Sequence, residues 1–400
     1  MSIVVQKYGG TSVDGPERIR AVARRVAAAR QAGHDLIVVV SAMGHSTDEL
    51  IRLAHQVSEH PNRRELDMLV TTGERVSMAL LAMALHDLEV PAISFTGSQS
   101  GILTHGPHAS ARVREVRPDR IRAALEQGRV AIVAGFQGVD PETREITTLG
   151  RGGSDTTAVA LAAAFGAACE ICTDVDGVMT ADPRLVPDAR VVPQLGYRSC
   201  STLAHLGGRV LHARCVDLAA RSKVRLVVRS SFTDHPGTRI EEDRDMESPR
   251  IEAIAHREPC SLVIAEGNAG GRGEARGILE SVAETFPELE LVAHEQVDAT
   301  HGVIAWMGER ADAESLVARF RELRGPGGEW RARAEHDASF VSLVGLGLGA
   351  TQAADAERAL ERAGVAMLAL RVSASALVIR VAPGRAADAV RALHAALIEL

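Results

Sequence analysis

The stretch that decides the fold is IVVQKYGGTS, residues 3–12, a β-branched run that passes without interruption into Gly9-Gly10 and two hydroxyls. An unbroken apolar run of this length reads as a strand buried on both faces, the kind found in mainly parallel sheets covered by helices. The glycines let backbone amides close on an anion, and a helical pattern over residues 16–32 aims its positive end at the same place. Gly-Gly turns are common, however, and neither a GxxxxGK[ST] loop nor a dinucleotide fingerprint follows.

The pattern continues outward. The apolar strand 36–41 ends in Ser41-Ala42-Met43-Gly44, and helices are expected at 47–58 and 64–87. Strands near 91–95 and 130–135 bracket a helix at 118–127, a helix at 154–166 leads to strand 169–174, and a helix at 201–221 with strand 224–229 closes the unit. Strands alternating with helices specify an α/β unit with a mainly parallel sheet. A polar, Pro/Gly-containing connector covers 233–249. Beyond it the rhythm becomes βαββαβ (261–335) and then βαββα (339–397), an approximate repeat. The second copy lacks a final strand and IEAIAHR (251–257) has no partner, so the expected closure is that 251–257 completes the second unit, with the first inserted in it.

Composition bounds the function. At 46% hydrophobic and 24% charged, the 400 residues have ample core for two or three domains. No apolar run of about 18 residues suggests a membrane span, and the first residues do not read as a secretory signal. A net charge of −7 with both signs interspersed provides no footprint for nucleic acid. Five cysteines without framework spacing fit a reducing cytoplasm. Cys169 and Cys172 form a CxxC, but no second pair stands at ligand spacing, so packing is the expected role and no metal site is expected.

Of 45 basic residues only Lys7 and Lys223 are lysines. A chain that writes positive charge as arginine yet keeps a lysine within strand 3–8 implies a need for a compact ammonium there. A second glycine-rich turn, TTLGRGGSD (147–155), opens a helix and sets Arg151 between glycines. Such a set suits a carboxylate and a phosphate together, whereas a simple cap by Ser154 or Asp155 would need neither the glycines nor the arginine. Glu74, in TTGER (71–75), either favours a helix dipole or reads a ligand. TDVDG (173–177) follows a strand end, where ligands bind in parallel sheets.

Together KYGGTS (7–12), VVVSAMGHSTDEL (38–50), TTGER (71–75), SFTGSQSG (94–101), VAGFQG (133–138), TTLGRGGSDTTAVALAAA (147–164) and TDVDGVMTADPR (173–184) resemble the aspartate kinases, in that family's order. The resemblance implies an α/β fold: a three-layer, mainly parallel sheet kinase domain (the amino-acid kinase fold), followed by two βαββαβ ACT-like (α+β) domains. The implied domains are residues 1–245 for catalysis, 259–336 for an inserted first ACT-like domain, and 250–258 with 337–400 for the second.

The implied reaction is ATP-dependent phosphorylation of the L-aspartate side-chain carboxylate with Mg2+, the first step toward the aspartate-derived amino acids (lysine, threonine, methionine). The implied partners are L-aspartate, ATP and further copies of the chain in a homo-oligomer through the ACT domains, in the cytoplasm, with no nucleic acid or membrane. Carried over by position, the catalytic residues are Lys7, Glu74, Arg151 and Asp174. The nucleotide falls to Lys7, Tyr8, Gly9, Gly10, Ser41, Thr173, Asp174, Met179, Thr180, Asp182, Pro183 and Arg184. The aspartate pocket falls to Thr47, Glu74, Phe136, Arg151, Gly152, Gly153 and Ser154, with Glu74 on the substrate ammonium and Arg151 on its α-carboxylate.

The chain also departs from that pattern. Met179 stands where an aromatic is usual, Ser199-Cys200 where an acid is usual, and Arg209 where a lysine is usual. Glu266-Gly267-Asn268-Ala269-Gly270-Gly271 replaces a loop usually reading Asp-Lys-Pro-Gly, and Glu295-Gln296 replaces Gln-Asn. Gly347-Leu348-Gly349-Ala350 and Arg371-Val372-Ser373-Ala374 replace His-Pro-Gly and Ser-Thr-Ser-Glu. Those family residues bind lysine or threonine, so feedback is expected to be weakened or lost. Met246 is placed as an internal start would be, or as an ordinary linker residue. Competing readings are a kinase of the same fold acting on another acidic substrate, and a non-catalytic amino-acid sensor. The free α-amino group implied by Glu74 argues against the first, and retention of Lys7, Arg151 and Asp174 against the second.

Overall fold

A computed structural model of the chain describes residues 2–208, 210–242, 249–268, 274–286, 289–297, 301–322 and 330–398. It divides into two compact units. The first comprises Met1–Thr180, Arg190–Ala204 and Gly208–Met246; the second comprises Ala181–Ala189, His205–Gly207 and Glu247–Leu400.

The elements of the first unit, in chain order, are β1 (Ile3–Tyr8), α1 (Pro16–Gln31), β2 (Asp35–Val40), α2 (Ser46–Val57), α3 (Arg63–Val70), α4 (Thr72–His86), β3 (Ala92–Phe95), β4 (Ile102–His105), β5 (Arg112–Val116), α5 (Asp119–Glu126), β6 (Val130–Ala134), β7 (Gln137–Val139), β8 (Ile146–Thr148), α6 (Gly153–Phe165), β9 (Ala168–Thr173), β10 (Gln194–Gly196), α7 (Tyr197–His205), α8 (Ala213–Ser222), β11 (Leu226–Ser230) and β12 (Thr238–Glu241). Its main sheet runs β10-β12-β11-β9-β1-β2-β6-β3. Strands β11, β9, β1, β2, β6 and β3 are parallel. Both faces are covered, which explains the continuous apolar runs of β2 and β6, where Leu36–Val40 and Val130–Ala134 are all buried. From β1 the chain steps to β2 on one side and later returns to β9 on the other. The crevice at the carboxyl ends of β1 and β9 is therefore the topological switch point, where ligands bind in open α/β sheets.

Several details depart from the periodicity. The run read as one helix over 64–87 is two, α3 and α4, meeting at Thr71. It is long and apolar enough to cross a bilayer by composition, yet Val70, Met78, Leu81 and Leu85 are buried in the unit. The helix read over 201–221 is likewise two, α7 and α8, parted around Gly207 with φ of 107°. A separate four-stranded sheet, β5-β4-β7-β8, is built from strands too short to carry a clear period. The connector contains a strand, β12, which pairs between β10 and β11. Cys169 and Cys172, three apart on β9, point to opposite faces of that strand, so they share no ligand position.

The second unit contains β13 (Arg250–Asn268), α9 (Glu274–Thr285), β14 (Glu290–Gln296), β15 (His301–Gly308), α10 (Arg310–Glu322), β16 (Arg331–Leu346), α11 (Ala350–Arg362), β17 (Met367–Ser373), β18 (Ala376–Val381) and α12 (Ala386–Leu397). They form one six-stranded antiparallel sheet, β14-β15-β13-β16-β18-β17. Pairs of predicted strands merge into the long β13 and β16. Residues 250–257 pair with 340–346, while 262–266 pair with 331–335 and 261–268 with 301–308. Register shifts between Arg257 and Leu262 mark where β13 passes from one set of partners to the other.

Candidate active site

Alternation along β1 separates two neighbours. Tyr8 is fully buried in the core with residues of α1 and α4, its hydroxyl donating to Gln6 Oε1 at 3.3 Å, and burial pushes its phenol well above its ordinary range. Its side chain is a packing element of that core, while its backbone carbonyl meets the Ser41 turn. Lys7 points to the other face, where Nζ lies 2.6 Å from Asp155 Oδ1 at the start of α6. Both side chains are 12% exposed, so the pair is sheltered but open to a ligand.

Three turns interlock beside Lys7. Gly9 N donates to Cys172 O at 3.3 Å, tying the β1 turn to β9. Gly44 N donates to Gly10 O at 3.1 Å, and a Cβ on Gly10 would lie 3.0 Å from the carbonyls of Ala42 and Gly44, so glycine is required by this close approach. Ser41 N donates to Tyr8 O at 3.1 Å, and Thr47 is half-buried in the first turn of α2. Ala42 N donates to Glu74 Oε1 at 3.1 Å, which brings α4 into the cluster.

Glu74 is 3% exposed, and its Oε2 is buried without a hydrogen-bond partner. Burial pushes its pKa up to about 7, against the lowering effect of backbone N–H donors. A half-satisfied carboxylate is costly in an interior. A cationic ligand would satisfy that unpaired oxygen.

The second glycine-rich turn frames the same region. Gly150 and Gly152 are left-handed, with φ of 73° and 64°, and hold the exposed Arg151 between them at the entrance to α6. Neither Ser154 nor Asp155 caps the helix. Phe136 also has positive φ (68°), an expensive conformation for an aromatic residue; Thr157 Oγ1 accepts from its N–H at 3.1 Å. Its ring abuts Gly153, and Ser154 packs against Gly135.

At the end of β9, Thr173 Oγ1 donates to Asp174 Oδ1 at 3.2 Å, and Asp174 is exposed. Ser231 N donates to Thr173 O at 2.7 Å, and the Ser231 and Ser12 hydroxyls are 2.9 Å apart. Met179 is half-buried and bridges to Val191, and Thr180 N donates to Arg190 O. Asp182, Pro183 and Arg184 belong instead to the second unit, where Arg184 makes 3.0 and 2.6 Å bonds to Asp182 and holds its carboxyl below the usual range. The sequence reading gives these three to the nucleotide, as it does Met179 and Thr180. That reading missed Asp155 and Ser231. The spacing of Asp155 in GRGGSD was visible, but its partner is 148 positions away.

The amino acid kinase family model matches residues 2–230. Aspartokinases of Thermus thermophilus (44% identity, 99% of this chain and 98% of that protein) and Mycolicibacterium smegmatis (41% identity, 99% and 96%) are similar over nearly their whole lengths. The chain belongs to the aspartokinases of the amino acid kinase family. Its fold is that of Escherichia coli aspartokinase III solved with aspartate and ADP, at a TM-score of 0.80, 23% identity and complete coverage of both chains. In this chain Lys7 near the end of β1 pairs with Asp155 at the start of α6, the Gly10 turn meets the Ala42–Gly44 turn, and Glu74 at the start of α4 joins them through Ala42.

Proposed function

We propose that the chain phosphorylates the side-chain carboxylate of L-aspartate with MgATP, giving 4-phospho-L-aspartate, the first step toward the aspartate-derived amino acids. The carrying observation is Glu74: a buried carboxylate with one oxygen bonded to Ala42, of the turn that packs on Gly10, and the other unpaired. A free α-ammonium satisfies that oxygen, whereas an N-acylated substrate has no charge to offer it. Arg151 takes the α-carboxylate, and Thr47, Phe136, Gly152, Gly153 and Ser154 shape the remaining wall. The attacking carboxylate is ionised near neutral pH, its reference pKa being about 4, so no general base is needed. The task is to hold two anions together and neutralise the charge spread over the phosphoryl oxygens.

Lys7 supplies that charge, held on target by Asp155. Gly9, Gly10, Ser41, Thr173, Asp174, Met179 and Thr180 receive the nucleotide. Among the described residues no three His, Cys, Asp or Glu converge into a metal cage. Mg2+ keeps phosphate and water ligands, and the exposed Asp174 at the end of β9 would supply a protein carboxylate to it. Bound there, Mg2+ would neutralise phosphate charge.

We further assign residues 1–245 to catalysis, 259–336 to an inserted ACT-like domain and 250–258 with 337–400 to a second. The assembly is a homo-oligomer through these domains, and the chain works in the cytoplasm. Its lysine or threonine feedback is weakened or lost. The test is hydroxylamine trapping of the acyl phosphate by purified enzyme with MgATP. Hydroxamate from aspartate but not from N-acetylaspartate is the expected result. Product from N-acetylglutamate or glutamate instead, or none from aspartate with folded enzyme, would overturn the assignment.

A further inference from the structure

Asp67, on α3, is 1% exposed and belongs to none of the groups assigned above, yet it is among the most heavily hydrogen-bonded side chains described. Its Oδ1 accepts from Thr148 Oγ1 at 2.6 Å and Ala109 N at 3.1 Å. Its Oδ2 accepts from Thr148 N at 3.1 Å and Ala109 N at 3.2 Å, with His108 Nδ1 at 2.7 Å. One buried carboxylate thus collects two backbone N–H groups, a hydroxyl and an imidazole. Such charge-assisted bonds are short and about twice as strong as neutral ones.

What Asp67 grips on one side is the base of the arginine loop. Thr148 ends β8, two residues before Gly150. Ala109 is itself left-handed, with φ of 69°, and its carbonyl would lie 3.0 Å from a Cβ on Gly150, so the 109 loop forms the floor under Gly150-Arg151-Gly152. Ala111 N donates to Thr148 O at 2.9 Å, and Arg214 closes the assembly with bonds to Leu149 O at 2.6 Å and Ala111 O at 2.8 Å. On the other side, Asp67 sits seven residues before Glu74. The α3–α4 junction between them is pinned by Gln137 Nε2 donating to Thr71 O at 3.2 Å.

We propose that Asp67 is a positioning residue that sets the spacing between Glu74 and the Arg151 loop, and so matches the site to the ammonium and α-carboxylate of one free amino acid. This rests on the roles assigned to Glu74 and Arg151. An amino acid carries its two charged groups on one carbon, so an error of about 1 Å between the readers loses one contact or the other, and misplacement of that size costs about a hundredfold. These hydrogen-bond partners of Asp67 lie on the 108–109 loop and β8 and not on β1 or β9, where the nucleotide is assigned.

The test uses full-length Asp67→Asn, which keeps shape but turns an amide nitrogen toward donors. The expected result is a rise in aspartate KM of roughly ten- to a hundredfold, with ATP KM within twofold. Thr148→Val, which removes only the hydroxyl bond, raises aspartate KM less and serves as the measure if Asp67→Asn does not fold. The decisive readout is kcat/KM for aspartate in an Arg151→Ala background. There Asp67→Asn adds little if it works through the arginine loop, because contacts in one network are not additive. Equal losses in both backgrounds, or aspartate and ATP KM rising in parallel, would overturn the proposal. If Arg151→Ala by itself leaves aspartate KM unchanged, the fault lies in the assignment of Arg151, which that single variant separates from the role of Asp67.

Discussion

Each unit carries a turn in which left-handed glycine precedes a helix, and the two are used in opposite ways. In the first, Gly150 and Gly152 flank Arg151, which is exposed at the entrance to α6. In the second, Gly347 (φ 65°) precedes Leu348 and Gly349 at the entrance to α11. Leu348 is 6% exposed and packs in a core with Val341, Leu360 and Val365, while its N–H donates to Ala374 O at 3.2 Å. Gly349 N donates to Gln352 Oε1 at 3.0 Å. A helix entrance attracts anions through its N–H groups, but only if they are not already taken and no apolar side chain fills the approach. Similar backbone turns therefore present an exposed arginine in one unit and make a closed structural corner in the other.

The comparison breaks hardest at Lys7. Lys7→Met removes the charge beside Asp155 and is expected to lower kcat by about a thousandfold or more, with aspartate KM changed little. Steady-state kinetics of the variant decide it, and near-normal turnover would take Lys7 out of the mechanism.

Glu74 gives the next largest effect, with opposite signs for activity and stability. Glu74→Gln should reduce kcat/KM for aspartate by roughly a hundredfold, by removing a buried partner of a charged group. The folded pKa of about 7 is raised from 4.5 by burial. The stabilising contribution of the neutral form is thus complete below the unfolded value and is lost as pH rises through 7. At pH 8 the substrate-free enzyme bears the full cost of the buried charge, at most about 3 kcal/mol. Glu74→Gln should therefore melt several degrees higher at pH 8 and show little difference at pH 4.5, by calorimetry without substrate. In the parent enzyme, aspartate KM should be roughly tenfold higher at pH 6 than at pH 8, as only about a tenth of Glu74 is ionised at pH 6. A flat KM across that range would dissociate Glu74 from the ammonium.

Much of this was legible before any coordinates. The parallel sheet followed from apolar runs at 3–8, 36–41 and 130–135, because a strand buried on both faces has no polar side to show. Lys7 stood out through its rarity. What could not be read was long-range pairing: Asp155 with Lys7, Asp67 with Thr148, and Ser12 with Ser231, each joining segments that the topology alone brings together. That Tyr8 faces the core and Lys7 the opposite side was not legible either, because a motif carries no information on which way alternate side chains of a strand point. The small β4–β8 sheet was missed because three- to five-residue strands carry too few turns of the period to register.

The smallest predicted effect is an absence, and it tests the closed turn directly. A free amino acid bound at the 347–350 turn would need a partner for each charged terminus, since burying either unpaired is costly. The Gly349 N–H that could receive a carboxylate is held by Gln352, and Leu348 fills the ground beneath it. Residues 269–271 of the corresponding first loop lie outside the described residues. Lysine and threonine, each alone and together at millimolar concentration, should leave the initial rate within about twofold of the control. Inhibition at micromolar levels would show that the turn opens or that another surface binds the effector. Gln352→Ala with Leu348→Pro separates those outcomes: if freeing the turn strengthens inhibition, the closed corner was the obstacle, and if inhibition is unchanged the effector binds elsewhere.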